Sequence, residues 1–137
     1  MASEEAKRVI ELMHTRRAER GGLDAIPDVD EMRAMYRTFA AFFPAPDGVE
    51  VRAVDAGGVA AEWIEPADAG DGLTLLYLHG GGYVIGGCDT HRNMVGHLAR
   101  ELGGRALLPD YRLAPEHCFP AAVDDAVAAY RYLLGTG

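Results

Sequence analysis

The chain has 137 residues, of which 49% are hydrophobic and 25% are charged, and its formal net charge is −8. This length and composition fit one globular domain with a core of its own. Phosphates repel an acidic surface, which argues against nucleic acid or an anionic membrane as the partner. No signal peptide is recognised at the N-terminus, and no apolar run reaches the roughly 20 residues of a membrane span. The two cysteines predict no disulfide framework, so a cytoplasmic location is expected.

The first part of the chain predicts two helices. Ser3 is placed to cap the first helix, which Gly21 is expected to end. The second helix begins near Asp28, which has the spacing of a capping box with the glutamate three residues later. Pro44 is expected to stop it. Its apolar residues recur at helical spacing and are Met32, Met35, Tyr36, Phe39, Phe42 and Phe43.

The rest of the chain alternates strands and helices. Residues 49–53 and 59–65 predict two strands joined by a glycine turn, and "LTLLYLH" from residue 73 predicts a strand buried on both faces. A helix capped by Asp89 or Thr90 and ended by Gly103 leads to a second buried strand, "RALLPDY". A last helix opens at Pro120. The apolar residues on one of its faces are Val123, Val127, Tyr130 and Leu134.

This order of elements predicts an α/β fold. Units of strand, helix and strand favour a parallel sheet with helices on its faces. The first two helices stand outside that alternation. We therefore expect residues 1–46 to form a helical cap region and residues 47–137 to form the core.

Three glycines, Gly80 to Gly82, follow His79 directly after the predicted strand. Consecutive glycines allow several backbone N–H groups to converge on one point, because no side chain blocks the approach. An oxygen that becomes negatively charged during acyl transfer is stabilised by such donors. His79 is expected to brace the loop through its ring nitrogens.

Two other interpretations of this loop stay open. A tight turn without a function needs the same glycines. A phosphate-binding loop is the second alternative, since Gly80, Gly82 and Gly86 resemble a loosened dinucleotide motif and Asp110 follows the next strand. The spacing departs from G-x-G-x-x-G, and Asp89 before the helix would crowd a pyrophosphate.

Three charged residues, Asp110, Arg112 and Glu116, follow the second buried strand. Charges near a core are costly unless they are paired, so we expect an ion network that fixes the loop beside the glycines. An exposed polar loop is the alternative. Cys88 and His91 have a spacing seen in metal sites, but no second pair of ligands is near in sequence, and no metal is expected.

Together, "HGGG" at 79–82 and "DYRLAPE" at 110–116, followed by "FPA" at 119–121, resemble the two signatures of the hormone-sensitive-lipase-like carboxylesterases, the bacterial family IV enzymes. The resemblance implies the N-terminal half of an α/β-hydrolase sheet, with about four strands, flanking helices and a helical cap. It also implies hydrolysis of small carboxylic esters through an acyl-enzyme, with no metal or organic cofactor.

The resemblance also assigns roles to individual residues. The backbone N–H groups of Gly81 and Gly82 would form the oxyanion hole, with Gly80 and His79 supporting the loop. Tyr83 would be a wall of the substrate pocket. Three residues of the second helix would divide between core packing and a lid over the substrate, namely Met35, Tyr36 and Phe39.

The family's catalytic serine, acid and histidine have no counterpart in this sequence. Ser3 is the single serine, and no G-x-S-x-G motif surrounds it. Three explanations compete: a complementary C-terminal chain that supplies the triad, a truncated product, or a non-catalytic binding or interaction module. As a function, ester hydrolysis ranks first, a non-catalytic binding or interaction fragment second, and a nucleotide-binding half-domain third.

Overall fold

A computed structural model describes residues 3–19, 28–70 and 73–136. The eight elements follow the expected order and are α1 (Glu4–Glu19), α2 (Val29–Ala40), β1 (Val49–Asp55), β2 (Ala60–Pro66), β3 (Thr74–Leu76), α3 (Cys88–Glu101), β4 (Arg105–Pro109) and α4 (Ala121–Thr136). Within these ranges, no helix has both the length and the apolarity needed to cross a membrane.

The four strands form one mixed sheet in the order β1-β2-β4-β3. β1 pairs antiparallel with β2, and β2 pairs antiparallel with β4. β3 pairs in parallel with β4, so β3, α3 and β4 form the expected strand–helix–strand unit. The carboxyl ends of β3 and β4 therefore lie side by side at one edge of the sheet.

Alternate residues of the strands bury the two faces of the sheet. One face packs on α3 through a cluster that contains Ile64, Cys88, Val95, Ala99, Ala106 and Leu108. The opposite face packs on α4 through Ala56, Ala61, Trp63, Leu107 and Ala129. Burying a Leu, Ile or Val side chain stabilises the fold by about 1.5–3 kcal/mol, so these two clusters hold the helices in place.

The second helix is shorter than its apolar pattern predicted. α2 ends at Ala40, whereas the periodic stripe runs on to Phe42 and Phe43, whose side chains are exposed. A proline disfavours helical backbone angles in the residue before it. Pro44 has this effect on Phe43, so the helix does not extend to the end of the stripe. α1 begins as expected, with Ser3 Oγ accepting the N–H of Ala6 at 3.2 Å. Gly21, its expected end, lies outside the described residues.

The expectation that the third strand is buried on both faces is wrong for this chain. β3 has three residues and one neighbour, β4, within the described sheet. The flanking residues Leu73 and Leu78 are 69% and 48% exposed. The apolar face expected on α4 is exposed too, at Val123, Val127, Tyr130 and Leu134. Apolar surface on the strand and on α4 therefore remains uncovered on this side of the sheet.

The close approach of α3 to the segment before β1 generates a prediction. Gly96 is buried in α3, and a Cβ placed on it would lie 2.8 Å from Cγ of Pro46. Replacing a helical glycine by alanine ordinarily stabilises by roughly 0.5–1 kcal/mol, but an overpacked ring contact costs about 1–3 kcal/mol. We expect Gly96→Ala to lower the free energy of unfolding, measured by urea titration.

Gly135 in α4 is the matched control, because a Cβ there meets no atom within 4 Å. Gly135→Ala should therefore leave the free energy of unfolding unchanged or raise it slightly. A stabilised Gly96→Ala variant would show that α3 does not pack on Pro46 as described.

Candidate active site

The glycine loop, residues 79–87, follows the carboxyl end of β3 and turns at Gly81. The N–H groups of Val84 and Ile85 both donate to the carbonyl of Gly81, at 3.2 and 3.1 Å. Gly81 has φ +130°, and a Cβ on it would lie 2.0 Å from the carbonyl oxygen of Ile85. The turn can therefore form only with glycine at position 81.

Two consecutive residues within this turn adopt left-handed backbone angles. Gly82 and Tyr83 both have φ +62°. Glycine adopts this conformation without penalty, whereas a residue with a side chain pays about 1–2 kcal/mol. The carbonyl of Tyr83 accepts the N–H of Ala114 at 2.8 Å. This bond ties the glycine loop to the loop that follows β4 and helps to offset the strain.

Two backbone donors of the loop are unengaged. Among the described residues, the N–H groups of Gly81 and Gly82 donate to no acceptor. The loop lines an apolar cavity of about 710 Å³ between β3 and α4. Tyr83, 61% exposed, lies at this cavity together with Leu78. The loop can therefore offer backbone donors to a ligand that enters the cavity.

His79 braces the loop with one ring nitrogen instead of two. It is 4% exposed, and its Nδ1 lies 2.9 Å from the carbonyl of Gly80. Its ring stacks on Tyr111, with centroids 4.0 Å apart, and the Tyr111 hydroxyl donates to the backbone carbonyl of His79. Within the described part of the chain, Nε2 has no partner. Burial lowers the pKa of His79, so the ring is neutral at pH 7 and donates from Nδ1.

His91 links α2 to the neighbourhood of the loop. Its Nε2 lies 3.4 Å from the hydroxyl of Tyr36, and its ring centroid lies 5.2 Å from that of His79. Burial lowers its pKa as well.

Cys88 is buried and donates its thiol to the carbonyl of Leu108. Burial raises the pKa of that thiol. Among the described residues, no three or more His, Cys, Asp or Glu side chains form a group that could bind a metal ion.

Asp110 stabilises the start of α3, whose N-cap is Gly87 and not the expected Asp89 or Thr90. The carboxylate of Asp110 accepts the N–H of Cys88 at 3.0 Å, and the N–H of Gly87 donates to Thr90 Oγ1 at 2.9 Å. A negative charge at a helix N-terminus is favourable, which explains the earlier start. The phosphate-binding alternative needs that same N-terminus for an anion. Here Asp110 holds it, and Asp89 adds a second carboxylate in the first turn.

Each of the three charges after β4 has a partner, and these partners lie on other elements. Arg112 binds Asp125 of α4, with Nη2 2.7 Å from Oδ1. That bond lowers the pKa of the Asp125 carboxyl. Glu116 binds Arg33 of α2 through both carboxylate oxygens, at 2.6 and 2.8 Å. The contact lowers the pKa of Glu116 to about 2.

Arg33 is a residue that the sequence interpretation missed. Besides Glu116, it donates to the carbonyl of Val84 at 3.0 Å and to that of Ala114 at 3.1 Å. Its side chain is 18% exposed. The available signal was its position three residues before Tyr36, beside the apolar stripe of α2, where a charge needs a partner.

The expected substrate-binding residues fall into different places. Tyr83 lines the apolar cavity, whereas Met35 and Tyr36 are half-buried in α2 and do not line it. Tyr36 is committed to His91 instead. The side chain of Phe39 lies outside the described part of the structure.

Comparison with known proteins gives matches along the whole chain. Residues 75–137 match a family model for the alpha/beta hydrolase fold. An acetyl-hydrolase of Streptomyces hygroscopicus is 43% identical over 142 residues, covering 100% of this chain and 44% of the relative. The carboxylesterase NlhH of Mycobacterium tuberculosis is 35% identical over 138 residues, covering 80% of this chain and 43% of the relative.

Solved structures show the same relationship. The crystal structure of an esterase from the bacterial hormone-sensitive lipase family superposes with a TM-score of 0.84 and 45% identity, covering 100% of this chain and 44% of that chain. EstE5, soaked with p-nitrophenyl butyrate, superposes with a TM-score of 0.82 and 45% identity, covering 99% of this chain and 45% of that chain. The chain thus spans less than half the length of these relatives. The chain therefore has the α/β-hydrolase fold, and its sequence and structure are similar to the N-terminal portion of bacterial esterases of the hormone-sensitive lipase family.

Proposed function

We propose that this chain is the oxyanion-hole portion of a carboxylic ester hydrolase that acts through an acyl-enzyme. The observation that carries the proposal is the pair of unengaged N–H groups of Gly81 and Gly82 beside the apolar cavity. An acyl chain is apolar and its ester carbonyl is an acceptor, so the two features suit the two parts of such a substrate. The names of the relatives support ester chemistry.

The chemical role of the glycines lies in the transition state. When a nucleophile attacks the ester carbonyl, negative charge develops on its oxygen. Donors that are already in place bind that charge without reorganisation, and each is worth roughly 2.7–4 kcal/mol of barrier. The turn at Gly81 supplies this rigidity, since Val84 and Ile85 both bond to its carbonyl.

The described residues offer no nucleophile at this loop. Ser3 is the chain's single serine and caps α1. Cys88 is buried with a raised pKa, which leaves its thiol protonated and unreactive. His79 and His91 are engaged with backbone and side-chain partners in the interior. The nucleophile, acid and histidine therefore come, in this proposal, from a complementary C-terminal segment.

The uncovered apolar surface fits such a segment. Leu78 at the end of β3 and Val123, Val127 and Tyr130 of α4 line the cavity and are exposed. β3 also has a free edge in the described sheet, where a further strand can pair. A strand added there would lie next to the glycine loop, which is where a nucleophile is needed. Residues 1–46 would act as the cap, and Tyr83 as a wall of the pocket.

Adding a segment that carries the triad tests the proposed function. By itself, the chain should not hydrolyse p-nitrophenyl acetate or butyrate above background, because it lacks the triad. The chain fused to the part of the Streptomyces hygroscopicus acetyl-hydrolase that follows the matched region, termed the two-part enzyme, should hydrolyse both esters. The separate complementary segment and the full-length relative are the negative and positive controls. A folded two-part enzyme without turnover would refute the proposed function.

The second prediction concerns the donors. Gly82 has φ +62° and open space around its Cα, so Gly82→Ala strains the backbone and adds a methyl group where the ester must approach. In the two-part enzyme we expect kcat to fall roughly 10²-fold, the scale for losing one oxyanion donor, with a smaller change in KM.

Gly48 provides the matched control, because it has φ +69° and equally open surroundings but lies before β1. Gly48→Ala should lower stability slightly and leave kcat unchanged. If Gly82→Ala kept the kcat of the unsubstituted enzyme, the glycines would be a turn only.

A further inference from the structure

The left-handed conformation of Tyr83 needs support from its surroundings, and a backbone N–H and the side chain of Arg33 both contribute to it. A residue with a Cβ holds φ +62° only when its neighbours favour that conformation over relaxed alternatives. The carbonyl of Tyr83 is bound by the N–H of Ala114, and the next carbonyl, that of Val84, is bound by Nε of Arg33. Two successive peptide groups after the strained position are thus fixed from outside the loop.

Arg33 joins three separate elements at this point. Nη2 also binds the carbonyl of Ala114, while Nη1 and Nη2 together bind the carboxylate of Glu116. The planar guanidinium presents its donors in a fixed fork, so each contact restricts the direction of the others. Its side chain is mostly buried under these partners. α2, the glycine loop and the loop after β4 are therefore fastened to one rigid group.

We propose that Arg33 is a positioning residue of the glycine loop: from α2, its guanidinium holds the carbonyl of Val84 directly and the carbonyl of Ala114, whose N–H binds the strained Tyr83. In this way it fixes the N–H groups of Gly81 and Gly82. The inference rests on the proposed function for its catalytic consequence. Its structural part, the dependence of the loop on Arg33, stands without any activity.

Amide hydrogen exchange on the 137-residue chain tests the structural part. Lysine keeps the charge at position 33 but lacks the fork. Arg33→Lys should speed exchange of the Val84 and Ile85 amides about tenfold or more, the scale for losing a charge-assisted hydrogen bond. The β4 amides of Leu107 and Leu108 should keep their protection. Equal loss of protection in β4 would show a general loss of stability and overturn the inference.

Arg37 supplies the matched control. It lies one turn further along α2, pairs with Asp89 at 2.9 Å and contacts neither loop carbonyl. Arg37→Lys should leave exchange at Val84 and Ile85 unchanged. The same acceleration from Arg37→Lys would mean that any change on α2 loosens the loop, and the assignment to Arg33 would fail.

A second variant tests the link to the strained residue. Asparagine adopts left-handed angles more readily than tyrosine, so Tyr83→Asn reduces what Arg33 must hold. In that background, Arg33→Lys should accelerate exchange at Val84 and Ile85 at least about twofold less than in the original chain. Identical acceleration in both backgrounds would show that Arg33 does not act on Tyr83.

The catalytic consequence is measured separately in the two-part enzyme. Arg33→Lys should lower kcat by about tenfold to 10²-fold, as small misplacements of catalytic groups do, while KM changes by less than about twofold. A rise in KM with unchanged kcat would instead assign Arg33 to substrate binding and overturn the proposal. An inactive unsubstituted two-part enzyme would count against the proposed function alone, since the exchange measurements need no catalysis.

Discussion

The parallel pairing of β3 with β4 is the constraint on which the rest of the site depends. Because the two strands run in the same direction, their carboxyl ends meet at one edge, and the loops that follow them become neighbours. The bond from Ala114 N–H to the Tyr83 carbonyl exists only because of this placement. Arg33 then reaches both loops with one side chain. A change of strand order would separate the glycine loop from Ala114, which binds it from the loop after β4.

Local patterns in the sequence were sufficient to predict the order of elements, the α/β class and the loop. The turn at Gly81 follows from the three glycines, since the close approach of Ile85 leaves no room for a Cβ. The parallel unit follows from apolar strands on either side of an amphipathic helix. The sequence indicated that Asp110, Arg112 and Glu116 need partners but did not identify them, because those partners lie on other elements.

What the sequence could not predict depends on contacts between distant residues. Arg33 and Glu116 are separated by 83 positions, and nothing in either local pattern links them. The earlier start of α3 likewise depends on Asp110, which lies 22 positions from Cys88. The burial of β3 was overestimated for a related reason. The apolar sequence of β3 suits a strand with neighbours on both sides. The described sheet provides a neighbour on one side only, so part of the strand stays exposed.

The electrostatic surroundings of the loop show why backbone donors suit this site. Burial lowers the pKa of both His79 and His91, which keeps each ring neutral at pH 7. Arg33, which binds the loop at the carbonyl of Val84, is paired with Glu116, whose pKa is lowered and which therefore remains charged well into the acidic range. Across neutral pH the two histidines and Glu116 thus keep their charge states. A group that develops negative charge beside Gly81 and Gly82 would meet fixed N–H dipoles, whose strength does not depend on titration.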